Sequence, residues 1–256
     1  MTTLQLSALP GIPFIEPGDD LAFIILQALG KAEITLADND ILVVAQKIVS
    51  KAEGRLVNLQ EIEVSRKAGE LAKEAAKDPR LVEVILRESA QVLRIRPGVM
   101  IVEHKLGFIC ASAGIDHSNV QGPHAQPGEW VLLLPEDPDH SAQTLRSQLE
   151  AASGLSLGVL IIDSHGRAWR MGTVGIAIGL AGLPGLVDMR GWRDLYGYGL
   201  QITQVGAADE LAAAASLVMG QASEGTPVIH VRGFPHRLRE SSLRELFRPA
   251  EHDLFR

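Results

Sequence analysis

The chain has 256 residues, of which 46% are hydrophobic and 21% charged, a balance that gives an ordinary globular protein enough apolar material for a sizeable core. Its formal net charge of −7 argues against nucleic acid as the main partner, because binding to a phosphate backbone needs cations that displace counterions. The single cysteine, Cys110, excludes an internal disulfide and a multi-cysteine zinc centre, and its small apolar neighbours mark it as a packed core thiol rather than a nucleophile.

The opening residues lack a basic stretch followed by a long apolar run, and no run approaches the ~18 apolar residues of a membrane span, so a cytoplasmic protein with no membrane partner is expected. "LQLSALPGIPFI" predicts a first strand broken by Pro10, Gly11 and Pro13. A helix follows over residues 21 to 30, capped by Asp19 or Asp20 and stopped by Gly30. The first half of "DILVVAQKIVS" is apolar without alternation, which predicts a strand covered on both faces, followed by a basic turn, "SKAEGR". Lys51 and Arg55 in that turn are either solvated or a clamp for phosphate or carboxylate.

Residues 61 to 77 carry Ile62, Ala68, Leu71, Ala72 and Ala75 at near-helical spacing, and Asp78 and Pro79 open a second helix that runs to about Gln91. The pair imitates a DNA-reading helix-turn-helix, but Glu61, Glu63, Glu70, Glu74, Glu83 and Glu88 oppose that reading. Two short strands joined at residues 104 to 107 come next, then a Gly- and Pro-rich loop, "HSNVQGPHAQPGE", and a strand, "WVLLLP". An amphipathic helix over residues 139 to 152 precedes the buried strand "LGVLIID", which is expected to end on Asp163. The apolar, glycine-rich "GTVGIAIGLAGLPG" suits close packing, a pocket wall or a subunit contact. "ADELAAAASLVMG" predicts a helix stopped by Gly220, "TPVIHVRG" a last strand, and the tail from Phe234 a short amphipathic helix lying on the surface or on a partner.

Neither GxxxxGK[ST] nor GxGxxG occurs, so both standard phosphate loops are absent. "GLSLG" at residues 154 to 158 matches a nucleophile elbow around Ser156. That motif needs a strand before it and a helix after it, and here the order is reversed, so it reads as a helix-to-strand turn. Asp116 and Asp163 each follow an apolar run and have a polar neighbour, Asn119 and Ser164. Hard cations are held beside phosphates in this way, although Asp at such positions is also a common cap. His117 and His165, beside these carboxylates, are either phosphate contacts or solvated loop histidines, and Glu210 either acts or favours the positive end of the helix that starts there.

Six blocks then coincide in order: "LPGIP", "IVSKAEGR", "GFICASAGIDHSNV", "IIDSHGRAWRMGTVGIAIG", "ADELAAAASLVMGQASEGTPV" and "VRG". In them the chain resembles the coenzyme F-420:L-glutamate ligase family over about residues 4 to 233. The resemblance implies an α/β (α+β) catalytic unit over residues 1 to 233, with mixed sheets, flanking helices and two intermixed lobes, and a separate tail at 234 to 256. It further implies a homodimer with sites near the interface. The implied activity is GTP-dependent addition of L-glutamate, in γ-glutamyl-type amide linkage, to a deazaflavin coenzyme precursor. The acceptor's carboxylate, on its lactyl-phosphate side chain, would be phosphorylated to an acyl phosphate and attacked by the amine, and a transfer between two anions calls for cations.

By position, Asp116 and Asp163 resemble the family's ligands for one Mg²⁺ or Mn²⁺, and Ser164 and Gln221 its ligands for a second, with K⁺ as a further family cation. Ser164 stands where the family has Thr, which keeps the hydroxyl. Asn119 resembles a nucleotide contact, as do Leu9, Pro10, Gly11 and Ile12 and the run Met219, Gly220, Gln221, Ala222, Ser223, Glu224, Gly225 and Thr226. Lys51 matches a basic residue near the nucleotide, whereas Gln46 and Lys47 replace a family Ser-Thr pair, with Lys47 adding a cation. Two alternatives stand beside this reading: a ligase joining an amino acid to another carboxylate, and an idle nucleotide-binding or assembly subunit. Two clustered anions, costly to bury, oppose the idle subunit.

Overall fold

The computed structural model describes residues 3 to 253. In chain order, β1 (Gln5–Ala8), α1 (Leu21–Lys31), β2 (Ile41–Ala45) and α2 (Gln46–Ala52) open a main sheet. Beyond them, β3 (Leu56–Asn58), α3 (Arg66–Ala75), α4 (Pro79–Arg87), β4 (Ser89–Arg96), β5 (Val99–His104), β6 (Ile109–Ala111) and β7 (Trp130–Leu132) form a smaller lobe. The chain then returns through α5 (Pro138–Ser153), β8 (Gly158–Arg167), β9 (Arg170–Ala181), β10 (Val187–Asp188), β11 (Gln204–Val205), α6 (Ala207–Met219) and β12 (Val228–Arg232). The smaller lobe is thus one insertion between α2 and α5. The fold is α/β in the mixed sense, since the main sheet runs β1-β12-β2-β8-β9 with only β2 and β8 parallel.

The continuous apolar run of β2 follows from burial on both faces. Leu42 and Val44 pack with Ile25 and Leu29 of α1 and Leu145 and Leu149 of α5, while Ile41 and Val43 join Leu211 and Ala215 of α6 on the opposite face. Fully burying each such side chain stabilises the fold by about 1.5–3 kcal/mol. In the smaller lobe, Ala68, Ala72, Val82 and Ile85 of α3 and α4 cover Met100 and Val102 of the β4-β5-β6 sheet. The two acidic helices therefore make a lobe core. Phe108 packs against three of the apolar clusters and joins the lobes.

The glycine-rich run is the inner part of β9, and its closeness is internal. A Cβ on Gly175 would stand 2.6 Å from the Ala212 carbonyl oxygen of α6, and one on Gly179 2.5 Å from Pro138 of α5. The chain's own helices cover the segment at these two glycines. Residues 154 to 158 are the expected turn, with Gly154 at φ 73° closing α5. Cys110 is buried, and burial pushes its thiol up to about 12.

Several boundaries differ from expectation. α1 is capped by Asp20, but it runs through Gly30 to Lys31, and Glu33 supplies the left-handed residue just beyond. In "SKAEGR", Ser50, Lys51 and Ala52 still belong to α2. α4 stops at Arg87 rather than near Gln91, because residues 89 to 96 pair with β5, a long-range demand that overrides local helix preference. β8 continues four residues past Asp163 into a hairpin with β9, and β6 ends at Ala111, so neither Asp163 nor Asp116 closes its strand. Among its described residues the tail forms only short 3-10 turns, Leu243–Leu246 and Ala250–His252. Leu243 is buried and Phe247 sits edge-on to Phe108, which packs this part of the tail against the chain's own core. Residues 254 to 256 of that tail lie outside the described ones. Among the described residues no helix is long and apolar enough to cross a membrane.

Candidate functional site

A cleft of about 1500 Å³ lies where the two lobes meet, and Asp116, Asp163 and Ser164 all line it. Asp116 arrives by an unusual turn: Ser112, Ala113 and Gly114 have φ of 50°, 54° and 65° in succession. The first two carry side chains, and each such left-handed residue costs of order 1 kcal/mol or more. Two features over-determine the turn. Leu134 fills the space beside Gly114, where a Cβ would stand 2.7 Å from its Cδ1, and Asp116 exchanges both backbone hydrogen bonds with Leu132. The small residues of this run therefore make room for the chain's own Leu134. Only Ala111 and Gly114 among them reach the cleft lining.

The Asp116 carboxylate accepts from Gln46 Nε2 at 2.7 Å and faces Lys47 Nζ at 3.2 Å, while Gln46 Oε1 accepts from Ser50 Oγ of the next helical turn. Burial raises the Asp116 pKa above the usual carboxylate range, and the neighbouring charge of Asp163 raises it further, against the lowering effect of Lys47 and Gln46. Asp163 is paired with His165 at 2.9 Å from Nε2. His165 is buried, bound to that carboxylate and part of the cleft lining, so it is not a solvated loop residue. His117 instead lines a neighbouring pocket of about 550 Å³.

Two further links close the cleft. Ser164 Oγ donates to Gln221 Oε1 at 2.7 Å and Gln221 Nε2 donates to Ser216 Oγ, which fixes the loop after α6 on β8. Asn119 Nδ2 donates to the Ala222 carbonyl at 2.9 Å, and Lys51 Nζ donates to the Asn119 carbonyl at 2.9 Å. Burial lowers the Lys51 pKa, and the charge of Lys47 adds to that effect. Thr226 Oγ1 donates to the Met219 carbonyl, and Glu224 accepts from its own loop's amides, which hold it below the usual carboxylate range.

The structure thus brings Ile12, Gln46, Lys47, Lys51, Asp116, Asn119, Asp163, Ser164 and all of residues 219 to 226 to one cleft. Leu9, Pro10 and Gly11 do not reach its lining: Leu9 is fully buried in the core and donates its amide to Val228. Arg55 is a structural tie, donating to the Leu134 carbonyl and to Glu88. Asp209 bonds the Ala177 amide, and Glu210 stays at the first turn of α6. Sequence reasoning missed Leu93, Arg94, Ile101, Ile109, Arg167 and Trp169, which also line the cleft. The first two lie in a strand whose opening residues were read as the end of a helix, and the last two beyond a strand thought to stop at Asp163.

Among the described residues no group of three or more His, Cys, Asp or Glu gathers as a metal cage. The donors present are two converging carboxylates, a hydroxyl and an amide oxygen. Such an all-oxygen set suits a hard cation that completes its coordination with water or phosphate, and the mutual repulsion of Asp116 and Asp163 is what a cation there would relieve.

The chain is similar to known proteins along most of its length. A family model described as F420-0:Gamma-glutamyl ligase matches residues 11–233. The chain is 46% identical over 255 residues to the Coenzyme F420:L-glutamate ligase of Methanothermobacter thermautotrophicus, covering 99% of each chain. It is also 46% identical over 260 residues to that of Methanopyrus kandleri, covering 100% of this chain and 99% of the relative. With that of Methanocaldococcus jannaschii it shares 42% over 225 residues, 88% of each. With its cleft lined by Asp116 and Asp163 and its sequence matched along nearly its whole length, the chain belongs to the F420-0:gamma-glutamyl ligase family.

Proposed function

We propose that this protein joins L-glutamate to a deazaflavin coenzyme precursor through a γ-glutamyl-type amide bond, using GTP and divalent cations by way of an acyl phosphate. The observation that carries the reading is the pair Asp116 and Asp163 converging at the foot of a cleft whose walls supply Lys47 and Lys51. Asp116 and Asp163 would hold one Mg²⁺ or Mn²⁺, and Ser164 and Gln221 a second. Bound there, the metals would offset the negative charge that crowds a phosphoryl group passing between two anions. Lys47 is held by Asp116 and by Ser118, and Lys51 by Asn119, so both ammonium groups are fixed before a nucleotide arrives. The links from Asn119 to Ala222 and from Ser164 to Gln221 keep the nucleotide loop, residues 219 to 226, against the carboxylate wall. GTP is the nucleotide and K⁺ a further activating ion in this reading, both on family resemblance. A homodimer also belongs to it, supported by the exposed Trp192, Leu195, Tyr196, Tyr198 and Ile202 between β10 and β11, apolar surface of the kind that marks interfaces.

The test is phosphate release from GTP with Mg²⁺ or Mn²⁺, with and without the unglutamylated coenzyme and L-glutamate, while the acceptor's mass is followed. A metal-dependent gain of glutamyl units matched by phosphate is expected; nucleotide binding with an unchanged acceptor mass would overturn the acceptor assignment. Ser164→Ala, which removes the hydroxyl bonded to Gln221, should raise the metal concentration needed for half-maximal activity by roughly tenfold or more. Titration curves that overlay the wild type would make Ser164 a purely structural link.

A further inference from the structure

Asp116 is met by two donors from one short helix. Gln46 and Lys47 open α2, and successive residues of a helix point about 100° apart. Both side chains nevertheless end on the same carboxylate, Gln46 Nε2 on Oδ2 at 2.7 Å and Lys47 Nζ on Oδ1 at 3.2 Å. They are held differently. Gln46 is 1% exposed, and its amide is pinned by Ser50 Oγ, which donates to Oε1 from the next turn. The Lys47 side chain is 26% exposed and ends on a flexible stem.

The Lys47 ammonium has three oxygen partners: the Asp116 carboxylate, and the carbonyl and hydroxyl of Ser118, each at 3.0 Å. An ammonium has three protons to donate, so this set satisfies it. With Oδ2 turned to the fixed amide of Gln46, Oδ1 is the oxygen that faces an incoming cation, and the ammonium already stands on it. A divalent ion on Oδ1, at the usual ~2.1 Å, would lie within about 5 Å of that positive charge. Lys51, one turn further along α2, donates to the Asn119 carbonyl at 2.9 Å rather than to Asp116.

We infer that Lys47 is a resident counter-cation of the carboxylate pair: it occupies Asp116 in the resting protein, keeps the pair from loading a divalent ion alone, and turns to the nucleotide's phosphates when metal and nucleotide arrive together. The inference rests on the metal and nucleotide roles proposed above and adds their order. Gln46 stays as the neutral donor that keeps Asp116 aimed. Lys47 is the one that can leave, because its stem is flexible and two of its three partners are neutral oxygens of an exposed serine. Its new partner would be close at hand. Ser118 precedes Asn119, whose side chain bonds the Ala222 carbonyl, so phosphates held by the loop of residues 219 to 226 would enter beside the ammonium. Their charge attracts it more strongly than the serine oxygens do.

Mn²⁺ titrations of the full-length protein, followed by the electron paramagnetic resonance of the free ion, test this without any turnover. In the absence of nucleotide, Lys47→Met is expected to bind Mn²⁺ roughly tenfold or more tighter than the wild type, because the competing charge is gone, while Lys47→Arg stays weak. Lys51→Met removes an equal charge from the same helix and should shift the affinity far less. A GTP analogue with a non-hydrolysable β–γ bridge should tighten Mn²⁺ binding in the wild type, by a factor that shrinks about tenfold in Lys47→Met. Lys47→Gln repeats the measurement with a polar side chain, and thermal melts that overlay the wild type would verify the fold. Nucleotide-free Mn²⁺ affinity no tighter than wild type in both Lys47→Met and Lys47→Gln would overturn the inference while leaving the metal site intact. Equal tightening in Lys51→Met would also overturn it, since the effect would then belong to the field of the helix rather than to a place on Asp116. Absence of Mn²⁺ binding in every variant, with and without the analogue, would strike the metal reading and the inference together.

Discussion

Asp163→Asn is expected to cut turnover by about a thousandfold while leaving the chain folded. The amide keeps the size of the side chain and can still bond His165, so β8 and its hairpin should hold. What disappears is one of the two negative charges that converge on the cleft floor. Metal-based charge stabilisation contributes several kcal/mol to reactions of this kind, and each 1.4 kcal/mol is about tenfold in rate, which gives the magnitude. The check is metal-dependent phosphate release beside a thermal melt. Wild-type release from a normally folded variant would remove Asp163 from the metal site, and lost release with a collapsed melt would assign it to the fold.

Asp40→Ala should be the most destabilising single change outside the cleft, at about 3–5 kcal/mol, or roughly 10 °C in Tm. Asp40 is 1% exposed just before β2. It accepts from His230 Nε2 at 2.8 Å, from Arg232 at 2.6 and 2.9 Å and from the Ala37 amide, thereby tying β2 to β12. Truncation leaves a buried imidazole and a guanidinium facing an empty space. Burial alone would raise the Asp40 pKa, but the hydrogen bonds from Arg232, His230 and Ala37 outweigh it, and the folded value lies below the usual 3.8. A carboxyl lowered on folding stabilises the protein above its unfolded pKa, and that contribution is lost as pH falls through the folded value. Urea unfolding at stepped pH should therefore show the full difference between wild type and variant above pH 3.8 and a narrowing difference below it. A difference that stays constant to the lowest pH would mean that Asp40 acts by filling space rather than by charge.

Much of this was legible because it is local. Asp20 as a cap, Gly220 as a helix stop, the turn at residues 154 to 158 and the doubly covered run of β2 all follow from side-chain chemistry and periodicity. Asp116 and Asp163 stood out because a carboxylate beside an apolar run has to be accounted for. What stayed hidden depends on distant partners. Residues 89 to 96 become a strand because Val99–His104 lies beside them, so Arg94 could not be placed in a cleft from its own neighbourhood. The role of Gln46 and Lys47 was only half visible: the family resemblance suggested an additional cation, but not that both side chains would reach across the lobes to Asp116. Gly175 and Gly179 announced a close approach without saying whether the neighbour was another subunit or the chain's own helices.

The order of the main sheet bears on how the chain is made. β1 is made long before β12, its one partner among the described residues, Gln5 lying opposite Arg232, and β2 has β12 on one edge as well. Translation at about 5–20 residues per second leaves both edges without their neighbour for on the order of ten seconds or more. Until then the nascent chain carries unpaired backbone beside one of its most apolar segments, the arrangement that recruits chaperones or aggregates. A stop codon ahead of residue 228 would therefore be felt as insolubility well before it was felt as lost chemistry, although Asp116, Asp163 and the nucleotide loop would all have been synthesised.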